Sequence, residues 1–295
     1  MHRITAYLDG RPYRLITPRP SNTTRFAVNH WRDLWHVVTD RAGAMLFARL
    51  MWGLAHERYP NTLVVIDRRH LDPNPFDAEP SPPIVLFAGE RTPFGGRAAR
   101  DLRRLLPTLG RPDGTVHWRT HGLDAALADR DAWTRRHPEP IWDWERERWR
   151  KRRLEDTVRD GLFVLPANAD ALRREAVCIA GMEVSATTPM AYEYLHRYRF
   201  QVFHDYRRRV SAARTARREI EELPAPPDRF APWRYADSDA VHLHIWDRGT
   251  EIRMARMRGL RVHARPEPYH TRSINDIQRS GETARERHYD PPSNT

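Results

Sequence analysis

Apolar positions recur along this chain with several different spacings, and each spacing predicts an element. Residues 4–8 and 13–16 are short strand-forming stretches joined across Asp9-Gly10, a dipeptide that accepts the positive φ angles of a tight hairpin turn. Ser21, Asn22, Thr23 and Thr24 then offer N-cap groups. Val28, Trp31, Trp35, Val38, Met45, Leu46, Leu50 and Leu54 fall on one side of a helix that the pattern carries, with a break near Gly43, as far as Tyr59 and Pro60.

Residues 63–66 and 84–87 are continuous rather than alternating apolar runs, as expected of strands buried on both faces of a parallel sheet. After them come Gly95-Gly96 with a helix over 97–106, a short strand at 116–118, a helix from Leu123, a strand at 162–165 and a helix over 170–180. Strand, turn and helix in alternation predict an α/β layer. The proline-rich stretch 73–83 is an irregular excursion between the first two strands of that layer, and Thr188-Pro189 opens a long helix carrying Tyr192, Leu195, Tyr198, Val202 and Tyr206. Residues 223–227 read as a linker, and the alternation in 241–247, 251–257 and 260–265 predicts a small antiparallel sheet. The expected organisation is therefore an N-terminal hairpin (1–20), an α/β core with a mainly parallel sheet and helical extensions (21–223), a small antiparallel β module (224–266) and a flexible tail (267–295).

Charge changes this picture from a bare fold to a candidate partner. The 295 residues carry 50 Lys+Arg against 39 Asp+Glu, a net +11, and all but Lys151 of the basic residues are arginine, as in a bacterium with a high-GC genome. Such a field attracts polyanions, which makes DNA or RNA the partner to test. The single cysteine, Cys178, sits in an apolar run, which excludes a disulfide framework or a cysteine-based zinc cluster. The most apolar stretch, 42–55, is interrupted by Arg49 and falls short of the about 20 residues of a membrane span; no signal-peptide pattern precedes it, so a cytoplasmic location is expected.

Three constellations could carry chemistry. On the expected C-terminal sheet, Val241, Leu243 and Ile245 would share one face, while His242, His244 and Trp246 would share the other with Arg253, Arg261, His263 and Arg265. Together with Arg207, Arg208, Arg209, Arg214, Arg217 and Arg218 at the end of the long helix, that face suits phosphates and stacked bases. His242 and His244, with His263 or Asp247, have no diagnostic metal-site spacing, and no metal is assigned. At the strand ends, Asp67, Glu90 and His121 would converge if the strands are parallel, and Gly95-Gly96 would present N–H groups to a phosphate. The glycines lack the Rossmann and Walker spacings, Pro60 stands where a second zincin histidine would follow His56-Glu57, and no motif names a cofactor or a family. Nucleic-acid association leads. The alternatives are an enzyme on a nucleotide or phosphoester at Asp67 and Glu90, and an assembly component docking through Trp142, Trp144 and Trp149. Convergence of Asp67, Glu90 and His121 in one pocket would favour the enzyme, and a continuous positive face would favour nucleic acid.

Overall fold

Asp9 and Gly10 both take positive φ angles, 47° and 69°, and the chain reverses there between β1 (His2–Leu8) and β2 (Arg11–Thr17). The computed structural model of the chain describes residues 1–31, 34–137, 157–195, 198–221 and 238–260. They divide into two units, the first of residues 1–72 and 81–206, the second of residues 73–80 and 207 onward.

The first unit is α/β, as expected. A seven-stranded sheet has the order β7-β1-β2-β5-β6-β9-β8, where β5 is Thr62–Ile66, β6 Ile84–Ala88, β7 Gly114–Thr115, β8 Val158–Arg159 and β9 Leu162–Ala167. Val64, Ile66, Ile84, Leu86, Phe163 and Leu165 point into one core, and Leu63, Val65, Val85, Phe87, Leu162 and Val164 into the other. Both faces being covered is why these strands read as unbroken apolar runs. Helix α1 (Arg41–Ala55) supplies Phe47, Leu50, Met51 and Leu54 to the first core, and α2 (Gly96–Leu105) supplies Ala98, Ala99 and Leu102 to the second.

Strand direction departs from expectation. The sheet is mixed: β2 runs parallel to β5 and β6 to β9, but β5 and β6 are antiparallel, with Val64 opposite Leu86 and Ile66 opposite Ile84. An apolar run records that both faces are covered, not which way the neighbour runs.

Four further readings are corrected. The helix expected over 25–59 is a strand pair, β3 (Phe26–Trp31) and β4 (Leu34–Thr39), followed by α1, whose N-cap is Asp40, accepting from Gly43 N. Residues 116–118 form no strand; Trp118 is buried, and its indole N–H is shared between the carbonyls of Arg49 and Leu50 at 3.1 and 3.2 Å. After α3 (Leu123–Ala128), α4 (Arg130–Arg136) and α5 (Ala169–Ala180), the helix expected from Pro189 is instead β10 (Met190–Tyr194) and β11 (Arg199–Phe203), and only then a helix, α6 (Tyr206–Glu221). These strands build a four-stranded sheet of order β10-β11-β4-β3. One of its faces gives Phe26, Val28, Val37, Phe200 and Val202 to the first core. The other carries Ala27, Asn29, His36, Val38 and Gln201, all buried.

In the second unit the expected strands at 241–247 and 251–257 are a single helix, α7 (Ser238–Met257). Burial of Ile245, Gly249 and Ile252 follows a helical spacing that the alternation around Val241 and His242 concealed. Trp142, Trp144 and Trp149, the 223–227 linker and the tail lie outside the described residues. Among the described residues no helix is long and apolar enough to cross a membrane.

Candidate nucleic-acid interface

Helix α6 is built from small apolar residues on one side and arginines on the other. Ala212 and Ala216 pack with Ile245 and Ile252 of α7. At Gly249 of α7 an added Cβ would lie 3.5 Å from the Ala213 Cα, so the two helices approach closely where neither has bulk. At 100° per residue, Arg207, Arg214 and Arg218 fall within about 40° of one another on the opposite side, and Arg208 lies about 80° to 120° round the helix from them, beyond Ser211 and Thr215. All four are exposed. The stripe from Arg207 to Arg218 is about 17 Å long at a rise of 1.5 Å per residue.

A fifth guanidinium reaches this side from α7. Exposed Arg256 donates from Nη1 to Ser211 Oγ at 3.0 Å and from Nη2 to Thr215 Oγ1 at 3.1 Å, which places it between the Arg207/Arg208 and Arg214/Arg218 ends of the stripe. The sequence signal for it was a pair of hydroxyls one turn apart, Ser211 and Thr215, but it becomes readable only once α7 is known to be a helix.

Arg209, Arg217, Arg248 and Arg253 are less exposed. Arg209 is half-buried, and Arg217 donates to the Asp77 carbonyl at 3.2 Å. Buried Arg248 donates to Glu219 at 2.6 Å and to Glu251 at 3.1 Å. Burial opposes its charge, but the two carboxylates outweigh that and raise its pKa, so it is neutralised within the unit rather than offered to a partner. Arg253 is half-buried on α7.

The sheet face proposed for His242, His244 and Trp246 does not form. On α7, His242 and Trp246 are one turn apart, with the Trp246 ring 5.0 Å from Phe76 and His242 Nε2 3.0 Å from Glu79 Oε1. The helix removes the strand geometry on which a His242–His244 metal pair depended. Arg261, His263 and Arg265 lie outside the described residues.

Asp67, Glu90 and His121 are not brought together. Because β5 and β6 are antiparallel, Asp67 and Glu90 lie beyond opposite ends of a five-residue strand, itself about 17 Å long. Asp67 caps a 3-10 turn, accepting from Arg69 N at 3.0 Å, and Glu90 accepts from Ala169 N at 3.2 Å in the first turn of α5. His121 contributes its carbonyl to the Trp52 indole N–H. Gly95 is the N-cap of α2 without a side-chain bond. A Cβ on Gly96 would lie 3.7 Å from an Asp160 carboxylate oxygen, so a carboxylate of the chain itself already stands near this positive helix end. A cavity lined by Met51, Leu86, Leu165, Leu172, Glu175 and Tyr198 has room for about one water molecule, too little for a nucleotide.

Compared with protein-family models, with curated proteins and with solved structures, the chain matches none.

Proposed function

We propose that the chain associates with nucleic acid through the exposed side of α6. The observation that carries this is the stripe of exposed Arg207, Arg214 and Arg218, with exposed Arg208 further round the helix and Arg256 from α7 laid across Ser211 and Thr215 between them. Guanidinium groups at helical spacing, with hydroxyls between them, suit phosphate oxygens, which take paired N–H donors. The net charge of +11 adds long-range attraction toward any polyanion.

Counterion release supplies the test. If each of these five guanidinium groups neutralises one phosphate, the slope of log affinity against log salt is about −4.5 on duplex DNA and about −3.5 on a single strand. Fluorescence anisotropy with labelled oligonucleotides should then show duplex affinity falling about 500-fold from 50 to 200 mM salt. Replacing Arg208, Arg214 and Arg218 together by Gln should flatten the duplex slope to about −1.8. No binding at low salt, or an unchanged slope in the triple variant, would refute the proposal.

A further inference from the structure

The second unit also gathers side chains that bind metals. Asp77 and Glu79 come from the loop 73–80 and His242 from α7, and one ligand atom from each lies within 4.8 Å of the other two. His242 Nε2 is 3.0 Å from Glu79 Oε1, and His242 Nδ1 is 3.8 Å from Asp77 Oδ2. Among the described residues, His242 is the only ion-pair partner of either carboxylate.

The loop is built to hold this geometry. Asp77 is 6% exposed and Asn74 3%. Asn74 Nδ2 donates to Asp77 Oδ2 at 2.9 Å, and Glu79 N donates to Asp77 Oδ1 at 2.8 Å. The backbone closes on itself twice, Asn74 N to Glu79 O and Ala78 N to Asn74 O, both at 2.8 Å, with Ala78 at φ 59°. On the helix side, the contact of Trp246 with Phe76 fixes α7 against the loop one turn from His242.

With a neutral imidazole the trio carries a formal charge of −2, one of the two carboxylates is buried, and the Arg217 guanidinium on the Asp77 carbonyl offsets only part of that charge. A bound cation would offset the rest. Two carboxylate oxygens and one imidazole form a mixed O and N set, the donor set of divalent transition metals rather than the all-oxygen set of calcium or magnesium. The Asn74 amide on Asp77 is the outer partner that orients a ligating carboxylate. Glu79 is half-exposed and His242 is 26% exposed, so the fourth position faces water.

We propose that Asp77, Glu79 and His242 bind a divalent transition metal ion, zinc above all, with one coordination position open to water or an anionic oxygen. The site is independent of the arginine stripe and stands or falls without nucleic acid. Cobalt(II), whose visible bands report bound nitrogen and oxygen ligands, is the probe, added to the full chain in the absence of any oligonucleotide. Cobalt should bind one to one with visible bands that zinc displaces. His242→Ala and Asp77→Asn should abolish the bands. Asn74→Ala, which keeps all three ligands, should weaken zinc binding about 10- to 100-fold. Glu79 is exposed enough for Glu79→Gln to fold, so its loss of affinity, at least tenfold, tests the site even if the Asp77 variant unfolds. His121→Ala should change nothing. Absence of cobalt bands, or binding that survives both His242→Ala and Glu79→Gln, would overturn the proposal and leave only a histidine ion-paired to two carboxylates.

Discussion

His36 should make the first unit sensitive to mild acid. The residue is 4% exposed on β4, and its strand neighbours in register are Asn29 of β3 and Arg199 of β11. Burial pushes its pKa down from 6.5 to about 4; the positive charges of Arg199 and His30 push the same way, and Gln201 offsets part of it. In the unfolded chain the imidazole takes up a proton as pH falls through 6.5, whereas in the folded unit it stays neutral until about 4. The unfolded state therefore binds more protons throughout that window. The contribution is fully present above pH 6.5 and is lost as pH falls toward 4. At about 1.36 kcal/mol per pH unit the whole window amounts to about 3 kcal/mol, of which about 2 kcal/mol lies between pH 7 and pH 5. Urea unfolding of the wild type and of His36→Gln, followed by circular dichroism at pH 7 and pH 5, isolates this group, because other titrating residues respond alike in both proteins. The wild type should lose about 2 kcal/mol more than the variant on acidification. An equal loss in the two would mean that His36 is not held neutral by its surroundings.

The remaining predictions concern helical glycines and the Arg248 ion pairs. Gly43→Ala and Gly53→Ala should each destabilise by about 2 kcal/mol or more. The new Cβ would run into Thr39 Oγ1 in one case and the Trp118 indole in the other, and both neighbours are held by hydrogen bonds. Gly249→Ala should instead stabilise by up to about 1 kcal/mol, since its Cβ meets Ala213 at an ordinary 3.5 Å and alanine favours the helix. Thermal unfolding of the three variants checks the signs. Arg248→Met should lower the stability of the α6–α7 pair by about 1 to 2 kcal/mol, a figure reduced for the partial exposure of Glu219 and Glu251. Adding Glu219→Gln to that variant should recover part of the loss in the same melting assay; no recovery would show that the ion pair is not the cause.

Legibility in the sequence followed the range of the interactions that decide each element. The Asp9-Gly10 hairpin, the doubly buried runs at 63–66, 84–87 and 162–165, and the α2 and α5 helices rest on local pattern, and each stands where the pattern put it. What local pattern does not carry is strand direction, and that moved Asp67 away from Glu90. It also failed where one spacing fits two periods. Val28, Trp31, Trp35 and Val38 satisfy a helical stripe, yet they lie in two paired strands, because Phe26 pairs with Thr39 and Ala27 with Val38. In α7 the same ambiguity ran the other way, with His242 and Trp246 alternating against Leu243 and Ile245 in the sequence while the buried set among the described side chains was Ile245, Arg248, Gly249 and Ile252. The arginines of α6 were legible as a cluster, but their division into Arg207, Arg208, Arg214 and Arg218 outside and Arg217 toward the loop needed the helix phase. The Asp77, Glu79 and His242 group was illegible in principle, since nothing near Glu79 in the sequence announces a histidine 163 positions later.

That separation sets a timetable for the nascent chain. The loop 73–80 leaves the ribosome long before α7, and at about 5 to 20 residues per second Glu79 waits about 8 to 33 s for His242 to be made. For most of that interval Asp77, Glu79 and the Phe76 ring belong to a unit whose helices have not been made, while β5 has both of its neighbours, β2 and β6, from Ala88 onward and β6 gains β9 by Ala167. The second unit is thus the last part of the described chain to be completed. A fragment beginning at Arg207 would lack the Phe76 ring that meets Trp246, and separate expression of the C-terminal helices should leave them incomplete unless the 73–80 segment is supplied with them.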